Sequence, residues 1–496
     1  MASGALAPNT FGRTARLGLL GGGLVFSLVL ALPAPEGLDP AGWRVAAVGL
    51  LMALWWITEA LPISVTALLP LVLFPVLGAG SINQAATPYA NPLIFLFMGG
   101  FMIALAMQRW GLHRRIALSI IRAVGTEPHA IVFGFMLASA FLSMWVSNTA
   151  TAMMMLPIGL SVVRLAGGDD PSGEARTFAI VLMLSIAYAC SIGGTATIIG
   201  TPPNALLQGF LNETYDVELS FARWMALGVP FVVVGLPLAY GVLTRVAFSL
   251  SLDRIAGGRA LITEALDEMG PASRGEWLVG FVFSAVALLW MTRPLLADGV
   301  PGLSDAGIAM GGAVVLFLTP VDWGEGTFVL DWETAADLPW GVLLLFGGGL
   351  SLASAVERTG LASWIGEQFN ALGGLPIVLL ILAVTLTIVL MTELTSNTAT
   401  TAAFLPIMAS VAIGVGQDPY LLIVPAALAA SCAFMLPVAT PPNAIVYGSE
   451  VLSIPEMARA GAVLNVLFIV LITAVAYGLA PIVLGVEIGV VPPWAG

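Results

Sequence analysis

The sequence predicts an all-α integral membrane protein built as an inverted-topology repeat, and three observations carry that expectation. Hydrophobic residues make up 59% of the 496-residue chain and charged residues only 9%, with a mean hydropathy of +0.99. A soluble domain carries roughly 25% charged residues, so most of this surface has to face lipid. No strand-like alternation runs through the chain, which leaves helices rather than a barrel to satisfy the backbone inside hydrocarbon. Finally, two polar motifs recur in the same order in the two halves.

Taken in order, the apolar stretches place spans near residues 17–33, 43–60, 62–79 and 92–108. A re-entrant hairpin is expected near 130–165, then a broken helix over 177–212. Further spans fall near 223–244, 276–293, 304–320 and 339–356. A second hairpin near 374–413, a second broken helix over 419–450 and a last span near 461–482 complete about eleven transmembrane helices plus two re-entrant hairpins. Residues 109–125 place Leu112, Ile116, Ile120 and Ile121 among arginines, the pattern of a helix lying in the interface. Residues 358–372 are its counterpart. The chain therefore divides into an N-terminal segment with the first span (1–40), a first repeat (41–245), a cytoplasmic linker (246–275) and a second repeat (276–496).

Orientation follows from the cations, all of which are arginine apart from two histidines. Arg109, Arg114, Arg115 and Arg122 cluster after one span, and Arg245, Arg254, Arg259 and Arg274 surround another loop. Both clusters are expected in the cytoplasm, and Arg13 and Arg16 place the N-terminus there too. The loops at 35–42 and 212–218, acidic or neutral, belong outside. The first apolar run is expected to stay as an uncleaved span of a protein in the cell's inner (plasma) membrane.

The repeat is explicit. Val-Ser-Asn-Thr-Ala-Thr at 146–151 recurs as Thr-Ser-Asn-Thr-Ala-Thr at 395–400, each followed by Leu-Pro-Ile, an offset of 249 residues. Phe97, Gly99, Gly100 and Gly111 match Phe346, Gly348, Gly349 and Gly360 at the same offset. Thr-Pro-Pro-Asn at 201–204 recurs at 440–443. Five crossings separate the 92–108 span from its partner at 339–356, so the second copy is upside down, the plan of many secondary transporters.

Ser-Asn-Thr inside an apolar hairpin is costly unless its groups are paired, and irregular backbone at membrane depth is tolerated only inside protein or beside a cavity. Ser147-Asn148-Thr149 and Ser396-Asn397-Thr398 are therefore expected at hairpin tips that meet near the midplane and bind a solute. The proline pairs Pro202-Pro203 and Pro441-Pro442 are expected to break their helices, freeing carbonyls for a cation and helix N-termini for an anion. Neither motif contains Arg, Lys or His, so bound sodium would supply the positive charge that an anion needs. Glu59 and Glu393 are expected to be structural. His113 and His129 are bystanders, Cys190 and Cys432 small core residues, and Gly99-Gly100 and Gly347-Gly348-Gly349 sites of close helix packing. No phosphate loop or zinc spacing occurs, and no nucleophile–base pair is visible, so no enzyme is expected, and no nucleic-acid partner either.

These motifs, in this order, together with Thr58-Glu-Ala-Leu-Pro-Ile-Ser-Val-Thr-Ala-Leu-Leu-Pro70, resemble the divalent anion:sodium symporter family, which includes sodium-coupled dicarboxylate and citrate carriers. The resemblance covers the chain from about residue 40. It implies a homodimer, a fixed scaffold and a transport domain that moves as an elevator. It implies sodium as coupling ion, with no organic cofactor, at one site made by Ser143, Ser147, Asn148 and the backbone of Gly200. A second sodium site would use Thr392, Thr395, Asn397 and the backbone of Ala439. The substrate carboxylates would meet Ser147, Asn148, Thr149 and Thr201 on one side, and Ser396, Asn397, Thr398, Thr440 and Pro441 on the other. Sodium-coupled symport of C4-dicarboxylates (succinate, malate, fumarate) is the reading this implies. A sodium-independent dicarboxylate exchanger, a citrate or sulfate carrier on the same fold, and a proton-coupled carrier using Glu393 stay open. A passive pore would need rings of charge or carbonyls along a continuous path.

Overall fold

The structure, a computed structural model, describes residues 13–495 apart from 126, 169–171, 253–254, 256–257, 297–298 and 370–373. Arg254, the side chain of Arg259, the 370–372 end of the expected second interfacial helix and residues 1–12 lie outside the described residues.

Among the described residues, ten helices are long and apolar enough to cross a membrane, and shorter apolar helices lie between them. Helices Arg13–Ala31 and Pro40–Thr58 lead in, the second opened by Pro40 at a position that needs no N–H donor. Glu59 ends it in a left-handed conformation (φ 48°) with its side chain exposed. It is a helix stop, not an acid in the core. The expected span at 62–79 is two pieces, Ile63–Thr66 and Leu69–Leu77. At the interruption the carbonyl of Ala67 accepts the Tyr89 hydroxyl, and the backbone of Ala67 lies so close to Gly348 that a Cβ there would sit 2.2 Å from the same oxygen. The Gly-Gly-Gly stretch thus serves close packing, as does Gly99, whose Cβ would come within 2.6 Å of the Ala309 backbone.

One departure from an all-helical chain is a two-stranded ribbon, Pro320–Asp322 paired with Thr327–Phe328 in a loop. The two segments expected in the interface form helices Leu112–Val124, with Ala117, Leu118 and Ile121 buried, and a shorter Leu361–Gln368. Helices Phe221–Gly241 and Ile454–Ala474 each continue into a π-helical turn, Val242–Ala247 and Val475–Leu479.

Ion pairs sort the loops onto two faces. Arg109 reaches Asp331 (2.6 Å), Arg115 reaches Glu276 (2.6 Å) and Arg176 reaches Glu456 (3.0 Å). On the opposite face Arg293 pairs with Glu218 and Asp305. The arginine-rich loops therefore share one side of the molecule.

The hairpins are Pro128–Ser143 with Asn148–Gly167, and Ile377–Thr392 with Asn397–Gly414. The broken helices are Gly173–Gly194 with Pro202–Tyr215, and Tyr420–Ala430 with Pro441–Tyr447. The first part of each broken helix packs on the hairpin of its own repeat. The second part crosses over: Pro202–Tyr215 packs on Asn397–Gly414, and Pro441–Tyr447 on Asn148–Gly167. The unwound segments lie before the prolines, which open the second parts instead of kinking a continuous helix.

Candidate functional site

Each hairpin tip is built the same way. Ser147 and Ser396 are N-caps, accepting from the backbone N–H of Ala150 (3.2 Å) and Ala399 (3.5 Å). The hydroxyl that ends the preceding arm, Ser143 or Thr392, meets the side chain of the motif asparagine. Thr392 Oγ1 donates to Asn397 Oδ1 at 2.7 Å, and Ser143 Oγ contacts the Asn148 amide. With its nitrogen turned inward, Asn148 donates to Ser143 Oγ and to the carbonyls of Cys190 (3.2 Å) and Gly200 (3.2 Å). Three neutral oxygens thus converge on one amide. Turned over, the amide would add a fourth, and an all-oxygen set of carbonyl, hydroxyl and amide groups suits a hard cation such as sodium.

The unwound segments are spanned by the asparagines of Thr-Pro-Pro-Asn. Asn204 Nδ2 donates to the carbonyls of Gly194 (3.3 Å), Thr195 (3.3 Å) and Thr197 (2.7 Å). Asn443 Nδ2 donates to Ala433 (3.3 Å) and Leu436 (3.0 Å). Carbonyls released by the breaks are thereby held in place instead of being left to cost several kcal/mol in an apolar surrounding. Sequence reasoning assigned these asparagines no individual role, although their position at the end of a repeated motif was a signal.

The two breaks are not held alike. In the second, the carboxylate of Glu393 accepts from the N–H groups of Phe434 (2.8 Å), Met435 (2.9 Å) and Leu436 (3.0 Å) and from Asn465 Nδ2 (2.7 Å). Those donors occupy both carboxylate oxygens without any cation. Methionine stands at the matching position 144, and there a backbone carbonyl, Met144 O, accepts from Thr197 Oγ1. The structural role expected for Glu393 is this clamp on the break, and Asn465, which no motif signals, completes it.

A chain of contacts joins the tips. Asn148 reaches Gly200 O; the next residue, Thr201, lies with its hydroxyl 3.4 Å from Ser431 Oγ; Ser431 follows Ala430, whose carbonyl accepts from Thr392 at 3.0 Å; and Thr392 holds Asn397. Ser147, Thr201 and Ser396 are the N-caps of three helices, each 14 residues or longer, that start along this chain, and Thr440 caps a fourth, shorter one, Pro441–Tyr447. Each such N-terminus carries about half a positive charge. Asn148, Thr149, Asn397 and Thr398 occupy first turns, with partial exposure, and Pro441 is exposed. Of the remaining expected residues, Thr395 bonds Thr400 (2.6 Å) and Met391 O (2.9 Å), and Ala439 N–H donates to Leu436 O (3.2 Å). Among the described residues, no group of three or more His, Cys, Asp or Glu side chains forms a metal cluster.

Comparison with known proteins gives a consistent picture. Residues 16–484 match the family model described as the sodium:sulfate symporter transmembrane region. The chain is 45% identical over 480 residues to the sodium-dependent dicarboxylate transporter SdcS of Staphylococcus saprophyticus, covering 95% of this chain and 92% of that protein. It is 44% identical, with the same coverage, to SdcS of Staphylococcus aureus strain USA300. Among solved structures, the Alcanivorax borkumensis YdaH transporter superposes with a TM-score of 0.58 at 15% identity, over 95% of this chain and 98% of that one. Neisseria gonorrhoeae MtrF gives 0.57 at 12% identity, over 94% and 95%. At such identities these two matches speak for the fold alone.

Proposed function

Since the chain belongs to the sodium:sulfate symporter family, a family of multi-pass membrane transporters and not of enzymes, we propose that it carries C4-dicarboxylates such as succinate, malate and fumarate by symport with sodium. The observation that carries this reading is the three helix N-termini strung along one chain of neutral hydroxyls and amides, beside oxygens that converge at Asn148. An anion there meets helix dipoles and donors but no basic side chain of the two motifs. Bound sodium supplies the missing charge, so each solute makes the other's binding favourable.

In this reading Ser143, Ser147, Asn148 and Gly200 hold one sodium ion, and Thr392, Thr395, Asn397 and Ala439 a second. Ser147, Asn148, Thr149 and Thr201 face one carboxylate, and Ser396, Asn397, Thr398, Thr440 and Pro441 the other. Two sodium ions neutralise a dianion, which alone would work against the membrane potential at about 2.3 kcal/mol per charge per 100 mV. The 44–45% identity to sodium-dependent dicarboxylate transporters supports both the ion and the substrate class. We place the protein as a homodimer in the plasma membrane with its N-terminus in the cytoplasm, the hairpins and broken helices moving as an elevator against the remaining spans.

The test is radiolabelled succinate uptake into proteoliposomes, comparing an inward sodium gradient with potassium. Sodium-driven accumulation that falls at least tenfold in Asn148→Ala and in Asn397→Ala is expected. Uptake that ignores sodium but needs succinate preloaded inside would replace symport by exchange, and uptake of sulfate or citrate alone would replace the substrate.

A further inference from the structure

Two glycines on the spans, Gly100 in helix Pro92–Arg109 and Gly349 in helix Trp340–Arg358, stand at matching positions of the repeat. The residues just before them are packed alike: Gly99 lies against the backbone of Ala309, and Gly348 against that of Ala67. The spans around the two glycines thus obey the repeat. What rests on the glycines does not. A Cβ at Gly100 would meet Ile199, in the first break, at 3.5 Å. Ile199 matches Val438 in the second break, at the offset of 239 residues that relates the two Thr-Pro-Pro-Asn motifs. Yet a Cβ at Gly349 would meet Ala402 at 3.4 Å and Leu206 at 3.5 Å instead.

Exposure follows the same division. Ile199 is 6% exposed and Val438 72%. Trp145, covered by the rings of Phe221 and Phe283 with centroids 6.2 Å and 5.1 Å away, is 9% exposed; its match Leu394 is 71% exposed. Residues 191–201 are all buried, whereas Met435, Leu436, Pro437 and Val438 are not. Exposed apolar side chains of a membrane protein ordinarily face lipid. These two stand two residues before Ser396 and Thr440, beside the polar site. An apolar surface in such a place marks a face that another part of the protein covers.

We propose that this face docks on helix Trp340–Arg358, with Val438 seated on Gly349, and that transport alternates between that contact and the seat of Ile199 on Gly100. The inference rests on the reading above, in which hairpins and broken helices move against the remaining spans, and it names the contacts they exchange. The repeat supplies the partners on both sides. Leu206 matches Ile445, and Ala402 matches Met153, which is 55% exposed. In the alternate conformation Val438 lies on Gly349, while Ile445 and Met153 lie on Gly100, as Leu206 and Ala402 lie on Gly349 here. A residue without a side chain is what lets each of them come close to the helix backbone. One apolar set is uncovered as the other is covered, so the two conformations stay close in free energy, as alternation between them requires.

The experiment is oxidative cross-linking of cysteine pairs in full-length protein in proteoliposomes, with the remaining free thiols counted by a maleimide gel shift. The contacts above are ordinary van der Waals distances, so either glycine accommodates a cysteine. Gly100→Cys/Ile199→Cys reports the conformation described here. Gly349→Cys/Val438→Cys and, independently, Gly100→Cys/Ile445→Cys report the alternate one. The crossed pair Gly100→Cys/Val438→Cys is the control, and single-cysteine variants account for the buried Cys190 and Cys432. All three matched pairs are expected to link at least tenfold faster than the crossed pair. Each link is expected to cut succinate uptake at least tenfold, with recovery on reduction. Absence of both alternate links in variants that take up succinate before oxidation overturns the proposal, and so does a link that leaves uptake intact. Failure of the transport reading would show separately, as wild-type vesicles that take up no succinate with sodium, while the links still report the seats.

Discussion

Replacing Glu393 by glutamine tests the clamp on the second broken helix. The side chain keeps its size, but one of two acceptor oxygens becomes a donor. If the amide nitrogen takes the place of Oε2, it faces Leu436 N–H, whose bond at 3.0 Å is lost, and Met435 keeps only its shorter bond at 2.9 Å to Oε1. If it takes the place of Oε1, it faces Phe434 N–H and the Asn465 amide together. The first arrangement costs less. An orphaned buried N–H costs about 1–3 kcal/mol, and the bonds that remain lose the charge assistance that roughly doubles their strength. Met435 and Leu436 are only partly buried, so water returns part of this. The net is about 2–3 kcal/mol, placed on the segment that leads to Ala439 and Thr440. Hydrogen exchange at residues 434–436 should accelerate by about 30- to 100-fold, at 1.4 kcal/mol per tenfold. The melting midpoint in detergent should fall by a few degrees, and succinate uptake should drop in step. Unchanged exchange and melting in Glu393→Gln would refute the clamp. If stability held but uptake lost its dependence on pH, the carboxyl group would instead be carrying a proton.

Other perturbations probe separate parts of the structure. Gly193→Ala puts a Cβ 2.3 Å from Ala140 O and 2.4 Å from its Cα, where only backbone could move; about 1–3 kcal/mol of stability and most uptake should be lost. Gly49→Ala, whose Cβ would meet only the tip of Leu352, with Cδ1 at 3.5 Å and Cδ2 at 4.0 Å, should melt like the wild type. Asp418 lies in the loop before Tyr420, and burial pushes its carboxyl up to about 6. Because the folded pKa lies above the unfolded value near 3.9, its favourable contribution is present at low pH and is lost as pH rises from about 4 through 6. Asp418→Asn can still accept from the Tyr420 N–H (2.9 Å). It should therefore raise the melting midpoint at pH 7, by up to about 3 kcal/mol in stability, with the gain gone below pH 4; an equal gain at pH 4 would contradict the burial argument.

Spans, hairpins and breaks were legible in the sequence because the bilayer leaves few options. About 20 apolar residues are needed to cross it, and a polar motif at that depth has to be a site or a liability. The repeated Ser-Asn-Thr and Thr-Pro-Pro-Asn motifs therefore marked the tips and the helix starts, while the hydroxyls beside the motif asparagines, Ser143 and Thr392, were implied by the family resemblance. Only tertiary structure decided what meets what. Backbone groups carry no sequence signature, so the backbone of Gly200 beside Asn148 was implied only by the family resemblance, and nothing in the chain marks Cys190 O as its neighbour, or Phe434, Met435 and Leu436 N–H as donors to Glu393. The repeat was even misleading there, since methionine stands at position 144 where Glu393 has its counterpart. That Gln208 and Asp305 line one cavity depends on the packing of helices almost a hundred residues apart. Such contacts follow from the directions in which packed helices point their side chains, which hydropathy and spacing do not encode.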